Sequence, residues 1–315
     1  MSDVKLLTLC IPTYNRGIHL NEQLRRLSSM PPEMWKDLTV FVSDNCSNDN
    51  TEEIVRSYIS KPIIDIVYSK NECNLGMDGN FVKCFTSAKS KYVWLLGDDD
   101  YIKIDKLVLI VKLLKENNCG VCHLGIHRKE IEEYTIYRDV DNYLREIAIW
   151  ISFISSNIVN TKYVPKIDFE KYYGTFFTLI PLYLTAMIGE NQNIMINTRI
   201  FEDSKDYSRN GGYSIVEVFV KNYLSIFDEF VKKGQLSHAL YEYEKKCSFD
   251  FVIPLVVDFV LLKKASLYKK DNTWSILFAY YGIPRTIFGC ARVLLKKVKA
   301  KFVYSVNRIS SINGH

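Results

Sequence analysis

The sequence predicts an α/β fold in which a mostly parallel sheet carries helices on both faces and is followed by a C-terminal helical region. Two observations lead to this prediction. In the first third of the 315-residue chain, apolar runs of strand length alternate with segments of helical spacing. These runs are apolar throughout, which is typical of parallel strands that are buried on both faces.

The elements follow in chain order from this pattern. Strands are predicted over residues 6–11, 38–43, 63–68 and 92–96, with helices over 18–30, from 51 onward and over 81–88 between them. Later segments predict a helix over 105–117, a strand over 120–124, a buried helix over 176–188 and a strand over 193–197. From residue 214 onward the spacing is helical, so the sheet is expected to use only the earlier part of the chain.

Polar residues follow each of the first four predicted strands. They are Pro12 to Arg16, Asp44 with Asn45, the segment 71–80, and Asp98 to Asp100. The carboxyl ends of parallel strands meet at one edge of a sheet, where open α/β folds bind their ligands. We therefore expect these four groups to line one site.

Three adjacent carboxylates, those of Asp98, Asp99 and Asp100, come directly after the fourth apolar run. Like charges at this spacing repel one another, and burial raises the cost of keeping them ionised. Mg2+ and Mn2+ prefer oxygen ligands and commonly bridge carboxylates to the phosphates of a substrate. The run therefore predicts a metal–phosphate site, and the alternative interpretation is a solvated acidic turn.

Two common nucleotide-binding motifs are missing from the sequence. No GxGxxG follows the first predicted strand, and no GxxxxGK[ST] occurs anywhere in the chain. A dinucleotide-binding dehydrogenase and a P-loop nucleotidase are both disfavoured for this reason. Because the chain lacks a P-loop lysine to hold phosphates, a cation on the aspartates is the expected substitute.

Four motifs occur in a characteristic order: LCIPTYNR at 9–16, VSDNCSND at 42–49, the Asn/Gly segment at 71–80 and GDDD at 97–100. In this order and spacing they resemble the family 2 glycosyltransferases of GT-A fold. Within that family the chain is most similar to bacterial sugar transferases of the abequosyltransferase type, which build surface polysaccharides. The resemblance is strong over residues 5–105, extends to about residue 215 and is absent from the C-terminal tail.

The resemblance implies an enzyme that moves a sugar from a nucleotide-diphosphate sugar to a saccharide acceptor, with Mn2+ or Mg2+ as cofactor. It makes residues 1–215 the catalytic domain, with a nucleotide-binding half at 1–105 and an acceptor half at 106–215, and leaves 216–315 as a basic helical region. Asp100 and Asp98 would bind the metal. The nucleotide and donor sugar would contact Pro12, Thr13, Tyr14, Asn15, Arg16, Asp44, Asn45, Asn74, Gly76, Asn80, Asp98, Asp99 and Arg209.

The general base is where the sequence departs from the family pattern. An inverting transfer needs a carboxylate that deprotonates the acceptor hydroxyl. Many family members carry an acidic pair at the start of the helix before the last strand of the domain, where this chain has Phe177, Thr178 and Leu179. The candidate bases are therefore Asp203 and Glu190, and for each the alternative is an ordinary solvated charge.

Three other functions are weighed against sugar transfer. A catalytically inactive nucleotide-sugar-binding or scaffold protein on the same fold stays open, because the acidic pair is missing. A nucleotidyltransferase shares the sheet and the metal chemistry, but it should carry a basic glycine-rich loop where this chain has Pro12 to Arg16. Nucleic-acid binding is disfavoured, because no recognised motif occurs and the body of the chain is acidic.

The C-terminal tail is strongly basic. From Lys263 to His315 there are eleven Lys and Arg residues and one acidic residue, Asp271, although the whole chain has a net charge of only +5. Basic segments with interleaved aromatic residues are typical of helices that lie on an anionic membrane surface. We expect peripheral attachment to the inner face of the cytoplasmic membrane, which suits a lipid-linked oligosaccharide acceptor. A contact within a homo-oligomer is the alternative.

The remaining composition favours a cytoplasmic location. Eight cysteines are scattered along the chain, several of them inside apolar runs, which is typical of free thiols in a reducing compartment. The chain opens without the pattern of a secretory signal, and no uninterrupted run of about 20 apolar residues predicts a membrane-spanning helix.

Overall fold

A mixed sheet forms the centre of the first part of the chain. The computed structural model describes residues 4–61, 64–125, 132–202 and 211–312, and it divides the chain into two units, Met1–Asp206 and Tyr207–His315. The boundary predicted from the sequence lies after residue 215. Among the described residues, eight strands of the first unit make one sheet, and the second unit is mainly helical. The predicted α/β fold with a C-terminal helical region is confirmed.

The sheet is parallel except at two strands. Its members are β1 (Leu7–Thr13), β2 (Leu38–Asp44), β3 (Ile66–Lys70), β4 (Tyr92–Leu95), β5 (Val121–Leu124), β6 (Tyr134–Tyr137), β7 (Asn157–Asn160) and β8 (Asn193–Ile196). They lie side by side in the order β3-β2-β1-β4-β7-β5-β8-β6. Strand β7 is antiparallel to its neighbours β4 and β5, and β6 is antiparallel to β8. All other neighbouring pairs are parallel. Because β7 is antiparallel to both β4 and β5, those two strands run in the same direction. The strands β1 to β5 and β8 therefore end at the same edge.

Helices of the first unit cover both faces of this sheet. They are α1 (Gly17–Leu27), α2 (Thr51–Ile59), α3 (Gly76–Ser87), α4 (Ile104–Glu116), α5 (Val140–Ile147) and α6 (Ile180–Gly189). Leu9 and Ile11 of β1 belong to a core cluster with side chains of α1, α2 and α4. Cys10 points to the other face because side chains alternate along a strand, and its thiol donates to the Cys84 carbonyl of α3.

Helix α3 begins earlier than the sequence predicted. We expected a polar loop through Asn80 and a helix from residue 81, but the helix starts at Gly76. The backbone amide of Leu75 donates to Asn45 Oδ1 at 2.9 Å, and that of Gly76 donates to Asn74 Oδ1 at 2.8 Å. Side chains thereby satisfy amides that have no partner within the helix, which lets it begin one turn sooner.

The second unit has its own apolar core. It contains α7 (Tyr223–Lys232), α8 (His238–Val256), α9 (Thr273–Tyr281) and α10 (Ile283–Ile312), together with the short paired strands β9 (Gly211–Ser214) and β10 (Leu267–Lys269). Phe227, Val252 and Leu277 are completely buried. Within the described ranges, no helix combines the length and the apolar composition that crossing a bilayer requires.

Helix α1 offers a test of the core. Leu24 is fully buried against the sheet, whereas Ile18 on the same helix is 83% exposed. Leu24→Ala is expected to lower the free energy of unfolding by about 2–5 kcal/mol, because it removes buried apolar surface and leaves a cavity. The control Ile18→Ala should change it by less than about 0.5 kcal/mol. Urea denaturation of both variants measures the difference, and equal losses would show that α1 does not pack as described.

Candidate active site

The acidic run lies at the carboxyl edge of the sheet, directly after β4. Strand β4 pairs with β1 so that Leu95 lies opposite Cys10, and β1 pairs with β2 so that Thr13 lies opposite Asp44. The polar ends of these three neighbouring strands are therefore brought together, as the alternation of strands and helices predicted. The four polar segments of the sequence meet at this edge because their strands are parallel.

The backbone at Gly97 gives the run its shape. A Cβ atom built at this position would lie 2.6 Å from Asp100 Oδ2, so the carboxylate folds back over a residue that has no side chain. The same Asp100 oxygen accepts a hydrogen bond of 2.6 Å from Ser155 Oγ, which also accepts from the Gly97 amide at 2.8 Å. Any other residue at 97 would displace the Asp100 carboxylate.

Arg16 neutralises part of the negative charge. Its Nε donates to Asp98 Oδ1 at 2.8 Å, and its Nη2 makes an ion pair with Asp99. Thr13 Oγ1 donates to the other Asp98 oxygen at 2.9 Å. Both oxygens of Asp98 are thus engaged by β1 and the loop that follows it, whereas Asp100 is held from the opposite side by Ser155.

The environment of Asp98 and Asp100 raises the pKa of both carboxyl groups. Burial raises the pKa of Asp98 to about 6, although the charge of Arg16 and the hydrogen bond from Thr13 act in the other direction. Burial likewise raises the pKa of Asp100 to about 6, and the neighbouring charges of Asp99 and Asp98 add to this effect. Carboxylates held together at this cost are typical of sites that bind a cation or react with a substrate.

Asp44 is completely buried at the end of β2. Its Oδ2 accepts a hydrogen bond of 2.6 Å from the Tyr68 hydroxyl, and its Oδ1 accepts one of 2.8 Å from the Ser47 amide. Burial and the adjacent Asp44 carboxylate raise the pKa of Tyr68, so this hydroxyl stays protonated and remains a donor. The structure therefore fixes the Asp44 carboxylate in one orientation at the edge of the candidate site.

A network of amide side chains joins the next two polar segments. Asn45 Nδ2 donates to Asn74 Oδ1 at 2.8 Å, and Asn45 Oδ1 accepts from Asn71 Nδ2 at 2.9 Å. Asn80 Oδ1 accepts from both Asn71 Nδ2 and Ser43 Oγ, the latter at 2.7 Å. Asn45 and Asn80 are buried, so in this structure their polar groups hold the loop before α3 in place. Gly76 lies at the exposed start of α3 with φ at +72°.

The loop after β1 presents an open surface. Pro12 is partly buried, whereas Tyr14 is 45% exposed and Asn15 is exposed in the left-handed region with φ at +52°. Asn15 is tied to the loop after β2, because its side chain accepts from the Asn48 amide and its own amide donates to Ser47 Oγ. An exposed aromatic ring on a loop anchored at both sides is suited to stacking against a planar ligand.

The candidate bases do not join this group in the described part of the chain. Glu190 follows α6, at the end of the sheet where β8 begins, and therefore lies at the edge opposite Asp98 to Asp100. There it makes an ion pair with Lys162 and accepts a hydrogen bond of 3.1 Å from Asn118. These contacts give Glu190 a structural role. Asp203 and Arg209 lie outside the described residues, as does the whole segment 203–210.

Asp78 is a further carboxylate near this site, to which the sequence pattern assigns no role. It lies in the first turn of α3, and its Oδ1 accepts a hydrogen bond of 2.6 Å from Thr178 Oγ1 while its Oδ2 accepts one of 2.8 Å from the Gly174 amide. Asp78, Thr178 and Ile154 line one small cavity, and Ile154 directly precedes the Ser155 that holds Asp100. The available signal was its place between Gly76 and Asn80, two residues that the resemblance had assigned to the donor.

The oxygen ligands at this edge suit a hard divalent cation. Over the described ranges, no group of three or more His, Cys, Asp and Glu side chains is arranged as a complete metal site. Mg2+ and Mn2+ do not need one, since they are commonly held by one or two carboxylates together with substrate phosphates and water. Asp100 and Asp98 supply such a partial set, and the raised pKa of both carboxyls indicates negative charge that a cation would relieve.

The chain is similar in sequence to named glycosyltransferases. The abequosyltransferase RfbV of Salmonella typhimurium is 31% identical over 194 residues, which are 55% of this chain and 58% of that protein. A Campylobacter jejuni enzyme named GalNAc(5)-diNAcBac-PP-undecaprenol beta-1,3-glucosyltransferase is 29% identical over 119 residues, 38% of this chain and 36% of that enzyme. The chain thus matches less than two thirds of the length of these relatives.

Solved structures share the fold over nearly the whole chain. S. aureus TarS 1-349 in complex with UDP-GlcNAc superposes with a TM-score of 0.60 and 17% identity, covering 91% of this chain and 82% of that one. The mannosyltransferase PcManGT of Pyrobaculum calidifontis, in complex with GDP-Man and Mn2+, superposes with a TM-score of 0.57 and 14% identity. This match covers 94% of this chain and 89% of that one. These likenesses confirm the expected GT-A fold.

The family model described as Glycosyl transferase family 2 matches residues 8–183. The match begins within β1 and ends in α6, so it contains the acidic run, the Asp44 loop and the amide network. It covers more than half of the sequence, and the chain belongs to glycosyl transferase family 2.

Proposed function

We propose that this protein transfers a sugar from a nucleotide-diphosphate sugar to a saccharide acceptor, with inversion at the sugar carbon, in the synthesis of a bacterial surface polysaccharide. The observation that carries the proposal is the cluster of Asp98, Asp99 and Asp100 at the carboxyl edge of the sheet, two of them with a pKa raised to about 6. The nucleotide sugars bound by TarS and PcManGT support the donor class.

On the donor side, the proposed nucleotide site is bordered by the loop after β1 and by Asp44. Tyr14 offers an exposed ring to the base, and Asp44 offers a carboxylate of fixed orientation. Arg16 lies beside the acidic run, where its guanidinium can pair with a diphosphate as it now pairs with Asp98 and Asp99. Arg209 stays a candidate for a second diphosphate clamp outside the described residues.

The departing diphosphate gains negative charge as the glycosidic bond breaks. Asp100 and Asp98 are the residues that we propose to hold Mn2+ or Mg2+, which supplies Lewis-acid stabilisation of that charge. Ser155 and Gly97 keep the Asp100 carboxylate at the edge of the sheet. Asp99 and Asn80 complete the proposed surroundings of the donor, together with Asn45, Asn74 and Gly76.

On the acceptor side, we propose Asp78 as the general base. Its two oxygens accept from a hydroxyl and a backbone amide, and in the described part of the chain no Lys or Arg forms an ion pair with it. It contacts Thr178, which stands where the family resemblance placed a carboxylate. Asp203 stays the other candidate. The undecaprenol in the name of the Campylobacter relative supports a lipid-linked saccharide as acceptor, and hence a location at the inner face of the cytoplasmic membrane.

Nucleotide binding is the first test of the proposal. Calorimetry with UDP, GDP, CDP and dTDP is expected to find one that binds in the presence of Mn2+. Asp100→Ala should weaken that binding by at least about tenfold, since a charged ligand to the cation is lost. Asp105→Ala, an exposed aspartate in the first turn of α4, is the matched control and should bind normally. If no nucleotide binds with or without Mn2+, the proposal is wrong.

The cost of ionising Asp100 has a consequence for stability without ligand. In the folded protein Asp98 and Asp100 keep their protons up to about pH 6, whereas in an unfolded chain they lose them near the ordinary pKa of 3.8. Their ionisation therefore lowers the free energy of unfolding as the pH rises through about 6. Asp100→Asn removes one of these charges and should raise the melting temperature at neutral pH. The gain should shrink towards pH 4, where the wild-type carboxyl is protonated. A melting temperature below that of wild type at neutral pH would contradict this.

Three variants separate the candidate bases. Asp78→Asn should reduce the turnover of the donor–acceptor pair by about 100-fold or more without changing nucleotide affinity, because a general base typically contributes this much. Thr178→Val breaks the same contact but keeps the carboxylate, so we expect a loss below about tenfold. Release of the nucleoside diphosphate measures turnover in all three variants. Equal losses in the two variants would make Asp78 a structural anchor, and a large loss only in Asp203→Asn would make Asp203 the base.

A further inference from the structure

Helix α10 has two apolar faces, and only one of them is packed. On the inner face Thr286 and Cys290 are buried, and a Cβ atom built at Gly289 would lie 2.6 Å from the Phe249 ring of α8. Further along the same face, Lys297 Nζ pairs with Asp258 at 2.9 Å. These contacts fix the rotation of α10 within the second unit, and with it the residues that face outward.

The outer face carries large apolar side chains in the open. Phe288 is 80% exposed, and Leu295 and Val298 are each 64% exposed. Ile287 is exposed beside them. Phe288 and Leu295 border one continuous surface groove on this helix. Single exposed apolar residues are common on protein surfaces. An aligned set over three helical turns is instead typical of a surface that binds a protein or a membrane.

The same groove is bordered by positive charge. Arg292, Lys296 and Lys299 are exposed along it. In the part of the chain that the structure describes, no carboxylate makes an ion pair with any of these three. The sequence has no acidic residue after Asp271, so the face has no negative charge of its own.

We propose that the outer face of α10 docks on an anionic membrane surface. Phe288, Leu295 and Val298 would enter the boundary between headgroups and acyl chains, while Arg292, Lys296 and Lys299 pair with lipid phosphates. This combination of an apolar stripe and flanking cations is the one that interfacial helices use. A second copy of the chain fits less well, because a symmetric contact through this face would bring the basic residues of both copies together.

This surface gives the proposed location a physical basis, yet it does not depend on sugar transfer. Vesicle binding needs neither donor nor acceptor, and nucleotide binding at β4 needs no membrane. Failure of one test therefore leaves the result of the other unaffected.

Co-sedimentation of the full chain with vesicles tests the proposal. Vesicles of phosphatidylcholine mixed with phosphatidylglycerol should bind the protein, and vesicles of phosphatidylcholine alone should bind it at least about tenfold more weakly. The double variant Phe288→Ser, Leu295→Ser should lose at least about tenfold in affinity. The double variant Lys296→Gln, Lys299→Gln should lose about thirtyfold at low salt.

Two controls carry matched changes elsewhere on the surface. Ile18→Ser removes an apolar side chain that is 83% exposed, and Lys89→Gln with Lys112→Gln removes two exposed charges. Both should bind vesicles like wild type. The proposal is overturned if the wild-type protein does not bind the anionic vesicles, or if the α10 variants bind them as well as the controls do. It is also overturned if the wild-type protein is a dimer in solution and the Phe288 and Leu295 double variant is a monomer.

Discussion

The site depends on holding three adjacent carboxylates at the end of a buried strand. Asp98 and Asp100 are kept there by hydroxyl groups from two different elements, Thr13 and Ser155, and Arg16 supplies the one cation that pairs with the run among the described residues. Burial still raises the pKa of both carboxyls. The arrangement therefore retains an electrostatic cost that a bound cation would offset. Binding sites commonly lower the stability of the unliganded protein in this way.

Many polar side chains around the run are hydrogen-bonded to other residues of the protein. Asn71 donates to both Asn45 and Asn80, and Asp44 accepts from Tyr68 and Ser47. A buried polar group without a partner is costly, so a fully connected network fixes a single loop conformation. These side chains consequently have two roles in the proposed donor site: they hold its loops in place, and they would contact a ligand there.

The two sides of the proposed reaction are built differently. The donor side comes from consecutive strand ends and lies within the segment that the family model matches. The proposed base, Asp78, comes from α3 and contacts the segment before α6 at Thr178 and Gly174. A carboxylate can thus stand near a position where the sequence has none, because the fold brings a different helix to the same place.

The sequence by itself determined the parallel strands of the sheet, the edge at which their polar ends meet and the identity of the acidic run, whereas the antiparallel strands β6 and β7 came only from the structure. The predicted features follow from local patterns: apolar runs of strand length, helical spacing between them, and the parallel direction that the alternation imposes. The tertiary structure alone decided that Arg16 pairs with Asp98 and Asp99, that Glu190 lies at the opposite edge, that α3 begins at Gly76 and that Asp78 meets Thr178. Each of these depends on contacts between residues far apart in sequence, whose distances are set by packing and not by the local pattern.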